Sequence, residues 1–438
     1  MKQWFADRIL RRMLKNISWL LSGRVVTGLT GFIYLSIVTH RLGLETFGIL
    51  VIIQTYVKII ATLTTFQSSQ AVIRYGAIFL ERKDKKKLQQ LIKFTTLLDV
   101  FGASMGIALA VILAPIIFSH LGWQPHLIVW VQLCSLTILF TTVATPRGLL
   151  QLYNRFDLVT FDLTITHVVQ LLGTIVAAVC NTTLWGYLGA WFFARLVRGI
   201  LVISLGWREV WKQGMLQDFN GSIDQLFQSH PDLWRFCVAS NFDSSLPMIF
   251  QEMSPIAITW LSTSANVGLF RIGSELASPL GGIAGLLTLS LYPELAHLNT
   301  QQNWQKFKAL VLRITKVSMG VGLALFLVYI FLGKQILFYG FGDEFTEAYS
   351  LLLILVISET FLMGNCALEP SLYALGCPNL ALRVKGIAIF CLYIPVVIVL
   401  TKKFGAMGAG MASLMCTSFI LLLNSIITRL QLQEKEKN

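Results

Sequence analysis

Twelve times along this chain a stretch of about 20 residues passes with scarcely a charge. The apolar runs lie at 17–39, 47–66, 91–119, 127–146, 158–180, 184–206, 237–261, 276–297, 309–333, 349–373, 383–401 and 405–428. A helix needs about 20 apolar residues to cross a bilayer. A fully apolar run does not reveal its own period, so length separates helix from strand. Membrane strands are about 10 residues long and alternate in polarity; these runs are longer and do not alternate. The expected fold class is an all-α integral membrane protein of about 12 transmembrane helices. Composition agrees. Of 438 residues 55% are hydrophobic and 13% are charged, against roughly 25% charged in soluble domains. So few charges do not cover a water-facing surface. The 33 glycines suit helices whose backbones approach closely in lipid.

The net charge of +13 has a topological reading. With the N-terminus inside, 28 of the 35 Lys and Arg fall on the cytoplasmic side and 5 (Arg41, Arg271, Lys334, Lys402, Lys403) on the other. Arg24 and Lys58 stay inside spans. Basic residues concentrate in cytoplasmic loops, so both termini are expected in the cytoplasm and no nucleic-acid partner is implied. Residues 1–16 lack the apolar core of a cleaved signal. As a helix they set Arg8, Arg11, Arg12 and Lys15 on one face and Phe5, Ile9 and Met13 on another. That suits a segment lying on an anionic leaflet. The seven cysteines form no CxxC pair and mostly sit in apolar runs, as packing residues do. No metal site is expected. No Walker loop, HExxH or GxSxG occurs, so neither an enzyme nor a pump driven by its own ATP hydrolysis is expected.

The spans group as six and six. Residues 17–206 form an N-terminal lobe, 207–236 a cytoplasmic linker, 237–428 a C-terminal lobe and 429–438 a tail. Two local echoes recur at a shift near 220. Leu42–Gly48 resembles Ser264–Phe270, and Gly186–Ala190 resembles Gly405–Ala409. An internal duplication with an even number of spans per half gives two pseudo-symmetric lobes of like orientation, with a substrate path expected between them.

A charge in hydrocarbon costs at least about 2.5 kcal/mol and usually faces a cavity or a partner. Arg24 shares a helical stripe with Thr27, Gly28, Gly31 and Tyr34. Its planar fork suits a phosphate or diphosphate, although a snorkelling arginine would also sit there. Lys58 lies near the centre of its span and reads as a second anion-binding group, or as half of an internal ion pair. The seventh run is the most polar: residues 240–255 include Ser240, Asn241, Asp243, Ser244, Ser245, Gln251, Glu252 and Ser254, together with Pro247 and Pro255. Two prolines eight apart weaken a helix, so Pro247 and Pro255 are expected to bend it. Asp243, Glu252 and Glu359 are candidates for an ion-coupling or cavity role, with H⁺ or Na⁺ as the ion. Asp99 reads as a residue of the cytoplasmic boundary, and His167 as a packing histidine.

The turn Leu42–Gly43…Phe47–Gly48, its counterpart Val267–Gly268–Leu269–Phe270, and the later runs Phe341–Phe345, Leu375–Asn379 and Lys403–Ala409 resemble those of polysaccharide (O-antigen type) flippases. These belong to the multidrug/oligosaccharidyl-lipid/polysaccharide exporter superfamily. The resemblance covers nearly the whole chain. It implies two six-helix lobes in a V of the MATE kind, in the bacterial inner membrane. It implies a flippase moving undecaprenyl-diphosphate-linked oligosaccharide by alternating access, with a polysaccharide polymerase and chain-length machinery as partners. Arg24 matches a basic position on the first helix of the related lipid II flippases. The rival readings are a multidrug or cation antiporter of the same superfamily and a membrane glycosyltransferase or polymerase. The latter needs a sizeable outer loop, and none is expected here.

Overall fold

The structure is a computed structural model that describes residues 8–215 and 232–437. Of the expected amphipathic segment, residues 1–7 lie outside the described part, as does 216–231 of the linker. Among the described residues there is no strand. The helices are α1 (Arg8–Thr64), α2 (Ser68–Glu81), α3 (Lys85–His120), α4 (Pro125–Ser135), α5 (Ile138–Thr141), α6 (Ala144–Leu152), α7 (Phe156–Val179), α8 (Leu184–Lys212), α9 (Asp232–Leu261), α10 (Ser264–Thr300), α11 (Trp304–Phe341), α12 (Tyr349–Gly364), α13 (Leu368–Ala374), α14 (Pro378–Gly386) and α15 (Ile394–Lys437). A π-helical stretch, Ile387–Tyr393, joins the last two. Eight helical stretches among the described residues are long and apolar enough to cross a membrane, and two of them, Ser22–Glu81 and Pro378–Lys435, take in two apolar runs each.

The chain divides into two compact units. Unit 1 holds Met1–Leu42 and Ile53–Ile249; unit 2 holds Gly43–Ile52 and Phe250–Asn438. The short segment Gly43–Ile52 belongs to unit 2 for a local reason. Gly43 breaks α1 with φ 70°, a conformation that costs glycine nothing. The helix restarts there with the Leu44 N–H donating to the Glu344 carboxylate at 2.8 Å. Phe47 then packs edge-on against Phe345. The two echoed motifs also meet. A Cβ on Gly48 would fall inside the Ser264 carbonyl, and one on Gly268 would come within 3.1 Å of the Leu44 carbonyl oxygen. Each motif supplies the glycine that admits the other's backbone.

The duplication is written most clearly in the backbone. Left-handed residues recur in pairs: Lys83 with Gln302, Gly122 with Gly342, Asn154 with Gly376, and Asn181 with Gly405. Their separations, 219, 220, 222 and 224, drift by only five residues. The first pair shows the shared chemistry. After each left-handed residue an Asx side chain caps the next helix, Asp84 accepting from Lys87 N at 3.1 Å and Asn303 from Lys306 N at 3.2 Å.

The fourth and tenth runs differ from expectation, because neither is a single helix. Each is interrupted just ahead of a proline, Pro146 in α6 and Pro370 in α13. Proline lacks the N–H and crowds the carbonyl one turn earlier. In unit 1 the interruption leaves the Thr145 N–H without a helical acceptor, and Asp99 Oδ2 takes it at 2.7 Å. Asp99 also accepts from the Ser68 hydroxyl. It is 5% exposed, so it is a buried brace for the break rather than a boundary residue.

Unit 1 has a core around Phe79, Leu88, Leu91, Leu149, Val210 and Leu233. Unit 2 has one around Leu295, Phe307, Val311, Ala367 and Leu432.

Candidate functional site

Arg24 and Lys58 both belong to unit 1, on the two limbs of α1. Both are exposed at the protein surface, as are Val25, Leu29 and Ile33 beside Arg24. The stripe beyond Arg24 is open. A Cβ on Gly28 or Gly31 would meet nothing within 4 Å. Tyr34, at its far end, is buried and accepts from Gln54 Nε2 at 3.4 Å. Gln54 is one helical turn from Lys58. That bond sets the register of the limbs and brings Lys58 about level with Thr30. At 1.5 Å per residue, Arg24 lies roughly 9 Å further along the axis.

A larger ionic cluster in unit 1 escaped the sequence reading. Asp162 on α7 has no side-chain exposure, and Arg198 on α8 grips both its oxygens at 2.6 and 3.2 Å. Arg147 on α6 stands 3.7 Å away. Arg195, one turn before Arg198, lies over the Trp191 ring at 5.4 Å. The signal was present. Asp162 falls four residues inside the fifth run and Arg198 well inside the sixth, yet both arginines were assigned to a loop by the charge rule. Nearer the helix ends, Arg155 bridges Asp157 at 2.9 Å and Glu209 at 2.8 Å. Its hydrogen bond to Asp157 holds the Arg155 guanidinium above its usual value.

The remaining candidates sort as follows. Glu252 is buried at 3% exposure. Two residues on, the Ser254 hydroxyl meets Tyr393 OH at 2.8 Å, and that OH donates to the Phe250 carbonyl at 3.1 Å. Tyr393 closes the π-helical stretch, an irregularity frequent at working sites. Glu359 is half-buried. Its Oε2 faces Gly281, where a Cβ would come within 2.8 Å, and it has no hydrogen-bond partner among the described residues. α9 runs as one helix through positions 247 and 255. Pro255 is buried; the side chains of Asp243 and Pro247 lie outside the described residues. His167 is exposed. A polar ladder joins α12 and α13 to α15 in unit 2: Ser358 with Thr417 at 3.1 Å, Asn365 with Asn424 at 2.8 Å, and Ser371 with Thr428 at 3.2 Å. The near-constant separation makes those helices parallel, as two spans of like direction require.

Known proteins resemble this chain along most of its length. A family profile described as polysaccharide biosynthesis protein matches residues 13–299. The inner membrane protein YghQ of Escherichia coli (strain K12) is 27% identical over 353 residues, which are 80% of this chain and 98% of that protein. The capsular polysaccharide biosynthesis protein CapF of Staphylococcus aureus is 22% identical over 183 residues, 42% of this chain and 46% of that one. Among solved structures, an inward-facing multidrug resistance MATE family transporter of the MOP superfamily superposes with a TM-score of 0.72 at 12% identity, covering 94% of this chain and 95% of the other. The lipid II flippase MurJ in an inward closed conformation also gives 0.72 at 12% identity, covering 94% and 87%. The fold is therefore the one that MATE transporters and MurJ share.

Proposed function

This chain belongs to the polysaccharide biosynthesis protein family, and from that premise we propose that it is a flippase for a lipid-linked oligosaccharide. Its cargo on this reading is a polyprenyl diphosphate bearing a polysaccharide repeat unit. The chain carries it across the bacterial inner membrane by alternating access, with both termini in the cytoplasm and with H⁺ or Na⁺ as coupling ion. A polymerase and chain-length machinery would act on the delivered unit.

One observation carries the reading. Arg24 is a surface cation set among exposed apolar residues, and Lys58 is a second surface cation on the same helical stretch, which is long enough to cross hydrocarbon. A diphosphate does not enter hydrocarbon alone, and fixed cations lower its cost. The open Gly28–Gly31 stripe beside Arg24 leaves room for a headgroup to pass. The fold alone is shared with multidrug exporters, but an exporter of cationic drugs calls for acidic rather than basic groups along its path. Glu252 and Glu359, buried or half-buried carboxylates in unit 2, are the proposed ion-coupling groups; Asp243 is a third.

The test is genetic. In a strain deleted for the gene, Arg24→Ala and Lys58→Ala should each fail to restore surface polysaccharide while protein levels match wild type. Normal polysaccharide from both variants would remove these residues from the cargo path.

A further inference from the structure

The duplication relates two ion pairs, one in each unit, and they differ in a telling way. Glu369 and Lys385 in unit 2 stand 222 and 223 residues beyond Arg147 and Asp162 in unit 1. Cation and anion have exchanged places between the repeats. In unit 2 the pair is closed, with Lys385 Nζ 2.6 Å from Glu369 Oε1, and its two charges cancel. In unit 1 the pair is open. Arg198 has taken both oxygens of Asp162. Arg147 Nε is left at 3.7 Å, a buried atom with no hydrogen-bond partner among the described residues. Leu422 stands 224 residues beyond Arg198, so the third member has no charged counterpart in unit 2.

The unit 1 cluster therefore carries surplus positive charge. One carboxylate faces two guanidiniums, with Arg195 a turn away, and guanidinium does not deprotonate in proteins. The surplus sits on the outward member. The Arg147 side chain is 36% exposed, against 14% for Arg198 and none for Asp162. Arg147 is also held in place by its neighbours. A Cβ on Gly206 of α8 would come within 2.7 Å of Pro146, and one on Gly148 within 2.8 Å of Ser69 Cα, so the chain on either side is locked by close contact. Asp162 lies six residues into α7, roughly 9 Å of helix rise from its start. At that depth a guanidinium reaches the phosphates of the headgroup layer, and its planar fork matches their geometry.

We propose that Arg147, kept open by the Asp162–Arg198 pair, binds the phosphate or diphosphate group of an anionic lipid. The proposal goes beyond the transport reading and does not depend on it.

Native mass spectrometry of the full chain in a neutral detergent tests it, with phosphatidylglycerol and a polyprenyl diphosphate as the added lipids. Wild type should hold one anionic lipid that Arg147→Gln binds at least tenfold more weakly, while Arg147→Lys keeps part of the affinity. Lys385→Gln opens the duplicated pair in unit 2 and should leave the affinity unchanged. Equal binding by Arg147→Gln and wild type would overturn the site. So would an equal loss in Lys385→Gln, since a loosened helix pair would then explain both. Tighter binding of the polyprenyl diphosphate would assign the site to the cargo, and equal binding to bulk phospholipid; either result upholds a phosphate site at Arg147.

Discussion

Replacing Gly48 by alanine tests the crossing at which the two echoed motifs meet. A Cβ there falls well inside contact distance of the Ser264 carbonyl carbon and oxygen, and 3.2 Å from its Cα. Ordinary carbon contacts lie near 3.5–4.0 Å, so the two backbones must part by roughly 1.5 Å. No flexible side chain absorbs that movement. The expected cost is at the upper end of overpacking, about 3 kcal/mol, offset by the 0.5–1 kcal/mol or so that alanine gains over glycine in a helix. A net loss of about 2 kcal/mol in a unit of roughly 200 residues lowers Tm by about 4–8 °C. Gly268→Ala, whose Cβ would sit 3.1–3.2 Å from Leu44 and Phe47, should lose less. Gly28→Ala and Gly31→Ala, which meet open space, should hold or gain a degree or two. Thermal unfolding of the four purified variants in one detergent gives the order. A Gly48→Ala protein as stable as Gly28→Ala would refute the reasoning from the crossing.

Asp162→Asn leaves Arg198 without its carboxylate and should cost about 3 kcal/mol, read as a lower Tm, with Asp162→Glu losing less; a neutral Asp162→Asn would mean that the cluster is not a structural pair. Glu344→Ala removes the acceptor of the Leu44 N–H at the break in α1 and should cost about 1 kcal/mol, visible as faster amide exchange at residues 44–46; unchanged exchange would show that the break does not need this cap. Pro247→Ala should slow delivery of polysaccharide more than it lowers protein abundance, and unchanged flux would leave α9 as scaffolding.

The fold class was legible because hydrophobic length is a one-dimensional property. The duplication was legible only faintly, through two short glycine-bearing echoes, Leu42–Gly48 with Ser264–Phe270 and Gly186–Ala190 with Gly405–Ala409. Its stronger record, the paired left-handed residues, is spread over Lys, Gln, Asn and Gly, and residue type alone does not report φ. The breaks ahead of Pro146 and Pro370 were missed because apolar residues continue across them and hydropathy does not register a lost hydrogen bond. Asp99 sat near a span end and was read as a boundary residue; only the tertiary position of Thr145 reveals what it braces. Asp162 and Arg198 were hidden by a rule that counts cations by loop, although a carboxylate and a guanidinium in successive spans are each other's natural partners.

The central claim is that Arg24 and Lys58 carry an anionic lipid headgroup through the membrane. The most direct measurement is leaflet-to-leaflet movement of a fluorescent polyprenyl-diphosphate oligosaccharide in liposomes holding the purified protein. The account predicts rapid movement with wild type, and movement near the protein-free rate with Arg24→Ala and with Lys58→Ala at equal reconstitution. Wild-type rates in both variants would contradict it.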